Sequence, residues 1–165
     1  MKKIILSLLL LLPLSMVAQE VKIGVVRWND ITAVMPEVAA MENEMMVLQQ
    51  TYQSELQSLE NEYNRKYADF MAQGDSLTDN IKALRMQEIN DLGSRHENLS
   101  QMAQQDVQKK YEELFTPIQD KALKAIEQVG EENGFTCVFH SQQLLYTGKN
   151  CEDITDKVKA KLGIR

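Results

Sequence analysis

The sequence predicts a mainly α fold, in which a long antiparallel α-helical hairpin projects from a small body of β-strands. Three observations carry that expectation. Apolar residues recur at helical spacing over two long stretches on either side of the polar segment MAQGDSLTDN, Met71 to Asn80. The β-branched runs are confined to the two ends of the chain. Glu, Gln, Met and Leu are abundant, with three prolines and 6% aromatic residues in 165, a composition that favours helix over sheet.

Met1, Lys2 and Lys3 precede an apolar run from Ile4 to Leu12, then Pro13 and SMVAQE. This is the pattern of a secretory signal peptide over residues 1–18, with cleavage after Ala18. The run is too short to span a bilayer as a stable helix, and no Cys follows to take a lipid anchor. The remaining 147 residues keep sixteen of the eighteen basic residues against twenty-four acidic ones, a net charge of −8. An acidic exported chain is a poor partner for nucleic acid. In an oxidising compartment Cys137 and Cys151 are compatible with a disulfide and equally with two unpaired thiols.

VKIGVV (Val21 to Val26) reads as the first strand. WNDITAVM follows as a brief helical turn, with Asn29 or Asp30 as its cap, reaching Pro36. From Val38 the apolar positions are Met41, Met45, Leu48, Tyr52, Leu56, Leu59, Tyr63, Tyr67 and Phe70, one narrow stripe whose repeat shifts from seven residues to eleven. A narrow stripe asks for one or two partner helices. Gly74, Asp75 and Ser76 supply a hairpin tip, with Asp75 or Ser76 capping the return.

The second stripe runs Leu77, Ile81, Leu84, Ile89, Leu92, Leu99, Met102, Ala103, Val107, Tyr111, Leu114 and Ile118, and continues to an Asn133-Gly134 stop. Pro36 and Pro117 are equidistant from the tip, so folding the chain back sets them level as the neck of the hairpin, 36–117. The body is assigned to 19–35 and 118–165: the first strand, FTCVFH (Phe135 to His140) and QLLYT (Gln143 to Thr147) as a hairpin, and a last helix capped by Asp153 and ended by Gly163.

Segments KIGVV, MPEVAA, YEELFTPIQDKALKAIEQVGEENGFTCVF and LLYTGKNCEDITDKVKAKLGI, in that order, resemble the Skp/OmpH family of periplasmic chaperones over nearly all of the mature chain. The resemblance implies a homotrimer whose strands build a central β body. Three helical hairpins would project as tentacles around a cavity that holds unfolded outer-membrane proteins. It implies a periplasmic location, no cofactor, and delivery of clients to outer-membrane assembly machinery. Val25, Phe139 and Leu145 are the expected body core and trimerisation residues. The chain departs from the best-known members in its acidic balance and its tip, GDSLTD, which argues against electrostatic binding to a membrane surface. Arg27-Trp28 and Val38 stand where relatives often carry Asp and Tyr.

Nothing in the sequence supplies catalysis. His96 and His140 have no Cys or carboxylate at metal-ligand spacing, and no phosphate-binding glycine loop or nucleophile turn is present. No metal is expected. Met46, Met71 and Met86 lie off the stripes, where flexible, polarizable side chains give an adaptable surface for unfolded sequences; scattered exposure is the plain alternative. Glu55, Glu60, Glu62, Arg65, Lys66, Asp69, Lys109 and Lys110 form a solvated charged face. Asp75-Ser76-Leu77 matches an O-glycosylation pattern of some exported proteins, and a capped turn explains it as well. The rival function is a structural or adaptor coiled-coil protein of the envelope that docks a folded partner.

Overall fold

A computed structural model describes residues 21–73 and 76–164. The expected signal peptide, 1–18, and the tip residues Gly74 and Asp75 lie outside the described residues. Elements follow in the order β1 (Ile23–Val26), α1 (Trp28–Thr32), α2 (Pro36–Gln73), α3 (Asp79–Glu132), β2 (Cys137–His140), a 3-10 turn (Ser141–Gln143), β3 (Cys151–Asp153) and α4 (Thr155–Leu162).

Helix α2 has 38 residues and α3 has 54, so the paired part is about 57 Å long at 1.5 Å per residue. Pro36 opens α2 at the first helical position, where its missing N–H has no helical partner to lose. Pro117 lies inside α3, which continues through it. Its ring removes the bond to the Glu113 carbonyl, and the neighbouring Thr116 hydroxyl donates to the Glu112 carbonyl at 2.7 Å. The return helix starts at Thr78 and not at Asp75 or Ser76. Ser76 instead donates its hydroxyl to the Gln73 carbonyl at 2.8 Å, closing the end of α2 where carbonyls lack helical partners.

Four polar pairs hold the two long helices in register. Glu37 meets Lys121, Glu44 meets Lys110 at 3.1 Å, the Tyr52 hydroxyl donates to Asp106, and Lys66 meets Glu88 at 2.9 Å. Because Glu37 pairs with a residue one turn beyond Pro117, the two prolines are not quite level. The four pairs set Pro36 opposite residues 118 to 122, beyond Pro117 by between one residue and a little over one helical turn.

The strand expectation needs correction. β1 is the central strand of a sheet ordered β2-β1-β3, and both neighbours run parallel to it. The FTCVFH to QLLYT hairpin does not form. His140 Nδ1 accepts from the Gln142 N–H at 3.1 Å and bends Ser141–Gln143 into a 3-10 turn, so the chain leaves the sheet and Gln143–Thr147 is not a strand. Its place is taken by Cys151–Asp153 on the other side of β1, with the Ile23 N–H donating to the Asn150 carbonyl at 3.0 Å.

Smaller boundaries also shift. Helix α1 begins after Arg27 and not after Asn29 or Asp30, while Asp30 takes Arg27 Nε at 2.6 Å. Asp153 Oδ1 accepts from the Thr155 N–H at 2.9 Å, which orients the start of α4 from one residue before its cap. Gly134 and Gly163, at φ 67° and 73°, end α3 and α4 in the left-handed conformation that glycine adopts without a Cβ clash.

One cluster of buried side chains ties arms to body. It contains Val26, Ile31 and Met35 before the hairpin, Met41 and Met45 at its base, Ile118, Ala122, Ala125 and Val129 on the return, and Ile154 and Val158 at the end. Gly24 is where the sheet approaches this cluster most closely. A Cβ there would lie 3.0 Å from Val138 Cγ2 and 3.2 Å from Ile154 Cδ1, so a side chain at this position would make both neighbours shift.

Candidate binding surface of the arms

Away from its base the hairpin buries little. The buried side chains of α2 are Met41 and Met45, both next to the body, and beyond Ala103 toward the tip α3 buries only Ile89 and Leu92. The seam is therefore one side chain wide, as its stripe requires. Leu84 and Met102, expected in the seam, are instead 56% exposed each. Near the tip Glu88 takes seam space, receiving Lys66 at 2.9 Å and Arg85 at 3.1 Å. These cations hold its carboxyl below the ordinary carboxylate range. Lys66 and Lys110 thus bridge the two helices and are more than a solvated face.

Met46 is 50% exposed, Met71 65% and Met86 39%. Met46 is near the base, whereas Met71 and Met86 lie on the two helices at about one level near the tip, as the Lys66–Glu88 pair sets the register. With Val47, Leu84 and Met102 they distribute separate apolar contacts along otherwise polar arms. Val47 was missed because it stands one residue past Met46 and off any seven-residue repeat. Exposure of Leu84 and Met102 was missed because their spacing alone fits a seam. A shallow groove of about 550 Å³ at the base is floored by Met41, Met45 and Phe115 and rimmed by Met46 and Tyr111.

At the neck, the Lys121 ammonium and the backbone N–H of Glu37 hold the Glu37 carboxyl below its usual range. Glu37 sits in the first turn of α2, where the helix dipole also favours an anion. At the far end of the sheet Glu152 receives Lys157 and Lys22, which lower its carboxyl in the same way.

In the body, Val25 is buried, but Phe139 is 41% exposed and Leu145 fully exposed. Within a single chain neither Phe139 nor Leu145 belongs to the core. The reason is the face each occupies. Gly24 and Val138 point at the helices, so their strand neighbours Val25 and Phe139, in register with each other, point to the opposite face. Leu145 lies in the irregular segment that replaced the expected strand. Cys137 and Cys151 are both free thiols, so the disulfide alternative within the chain is set aside. Among the described residues no group of His, Cys, Asp and Glu is arranged to hold a metal, and no helix is long and apolar enough to cross a membrane.

The family described as "Outer membrane protein (OmpH-like)" matches residues 22–162. The chain belongs to the OmpH-like family. Six chains of solved structures match it. One is a proposed OmpH-like outer membrane chaperone from Caulobacter crescentus CB15, with a TM-score of 0.74 and 13% identity over 86% of this chain and 83% of that one. At that identity the likeness is one of fold. No curated protein matches the sequence. Membership of the OmpH-like family supports a chaperone role for this chain.

Proposed function

We propose that this OmpH-like protein is an ATP-independent periplasmic holdase, which keeps unfolded outer-membrane β-barrel proteins soluble between its arms and passes them to the assembly machinery. The observation that carries the reading is a pair of helices about 57 Å long along which exposed apolar side chains, among them Met46, Val47, Met71, Leu84, Met86 and Met102, are interspersed with charges. Separated weak contacts hold many sequences without committing to one. Flexible methionines adapt to whatever side chain they meet. The charged remainder keeps the arms soluble and limits irreversible sticking.

In this reading three copies assemble through their body strands, with Val25, Phe139 and Leu145 at or near the contact and the GDS tip at the free end. An exposed Phe139 on the sheet face away from the helices and an exposed Leu145 suit a body completed by its neighbours. No bond is made or broken in the client, and no nucleotide is needed.

The test is dilution of a urea-unfolded outer-membrane β-barrel protein into buffer with and without the purified protein, followed by sizing with light scattering. Suppressed aggregation and a joint complex of about one trimer per client are expected. A client that precipitates regardless overturns the holdase reading and transfers the arms to an adaptor role with a folded envelope partner.

A further inference from the structure

One side of the hairpin carries glutamines between its charges. Gln49, Gln53 and Gln57 follow at four-residue spacing on α2, and Gln104 on α3 lines the same groove, which has a volume of about 430 Å³ and an apolar floor of Leu56, Ala103 and Val107. Gln49 also lines the groove at the base, with Met45, Tyr111 and Phe115. The two grooves therefore run into one another. Of the described residues that line them, the charged ones are Glu42 and Glu60, near the two ends. Between these lies a strip without charge, in a chain of which 25% is charged.

Length, backbone chemistry and charge define an occupant. Val38 to Glu60 covers about 33 Å at the helical rise, the reach of an extended segment of about ten residues. A membrane-spanning β-strand has about that length, and its apolar and polar side chains alternate. Laid in the groove, such a segment sets its apolar face on the floor. Its peptide groups recur along one edge every second residue, about 6.6 Å, and glutamines four apart recur about every 6 Å along their helix. A side-chain amide offers both donor and acceptor to a peptide group, which neither a carboxylate nor an ammonium does. A helical occupant satisfies its own peptide groups and leaves these amides nothing to pair with. A charged segment would lose water over the apolar floor without a partner. Gln57 Nε2 already donates to Glu60 at 3.2 Å and Asn61 at 3.3 Å, so the role falls to the exposed Gln49, Gln53 and Gln104.

We propose that this groove holds one uncharged, extended, strand-length segment of an unfolded β-barrel client, with Gln49, Gln53 and Gln104 hydrogen-bonding its backbone. The inference rests on the holdase reading and names the face and the segment that serve it.

The experiment measures binding of a fluorescently labelled, urea-unfolded outer-membrane β-barrel protein diluted into the purified protein. Three double variants are compared with the parent: Gln49→Glu with Gln53→Glu, Gln49→Ala with Gln53→Ala, and Ser58→Glu with Asn98→Glu, the last pair lining a separate groove of the arm. Affinity should fall roughly tenfold in the first and several-fold in the second, and less than about twofold in the third, with helical circular dichroism and sizing unchanged. A peptide of five Val-Thr repeats should displace the client at a concentration about tenfold lower than five Val followed by five Thr, because alternation puts every apolar side chain on one face. Retained affinity in both glutamine pairs, equal losses in the Ser58 and Asn98 pair, or equal displacement by the two peptides overturns the inference, while client binding by the parent keeps the holdase reading. A glutamine pair that changes the assembly size at unchanged helical content overturns it in favour of a contact between copies of this chain. Failure of the parent to bind client overturns both.

Discussion

At the scale of single residues, the proposed function separates side chains that hold the fold from side chains that meet a client, and the two sets should fail separately. Gly24 belongs to the first set. Adding a methyl there forces Val138 and Ile154 aside at 3.0 and 3.2 Å, and overpacking of this kind costs about 1 to 3 kcal/mol. Urea unfolding of Gly24→Ala should show an unfolding free energy lower by that amount, seen as a lower midpoint, and an unchanged midpoint would refute the packing account. The proposed function places Met46, Met71 and Met86 in the second set. Replacing all three with Gln should weaken client binding several-fold while unfolding and sizing stay as in the parent protein; unaltered client affinity would remove the methionines from the account. The exposure of the methionines was legible in the sequence because they break a regular stripe. The exposure of Phe139 and Leu145 in a single chain was not, since a strand-like apolar residue looks the same on either face of a sheet.

Among the elements, the hairpin and the first two strands were readable, while the third strand and the pairing of the sheet were not, for a physical reason. A helix writes its period into adjacent residues, so Met41 to Phe70 and Ile89 to Ile118 announce two helices and a single shared seam. Parallel pairing of Ile23 with Cys137 and Cys151 joins segments more than a hundred residues apart and leaves no local turn signal. QLLYT has the composition of a strand, yet the His140 to Gln142 hydrogen bond turns the chain away before it can pair. The same thin seam sets the arm's dynamics. With buried side chains concentrated at the base, local opening should cost less toward the tip. Amide hydrogen exchange is therefore expected to slow progressively from the Phe70 to Ile81 region toward Ile118 to Val129. Uniform protection along both helices would contradict the seam described here.

For the whole molecule, charge and architecture work together. Glu37, Glu88 and Glu152 have carboxyls held below the ordinary value of 4.5 by their lysine and arginine partners. A carboxyl lowered in the folded state stabilises it at pH values above the unfolded pKa, and that contribution disappears as pH falls through the lowered folded value. Stability should thus be level near neutrality and decline below about pH 4.5, read as a falling urea midpoint; a midpoint that rises on acidification would reverse the assigned sign. The partners are exposed enough that each pair is individually small, so the decline should be gradual. Larger consequences follow from shape: the proposed function places client holding on the two long helices, away from the core shared at the neck. Hydrogen exchange of the complex with an unfolded outer-membrane β-barrel protein tests this most directly. Added protection is predicted over 36–117, on the helix faces that carry Met46, Met71 and Met86, with the body unchanged. Protection confined to the body strands, or none on the arms, would contradict it.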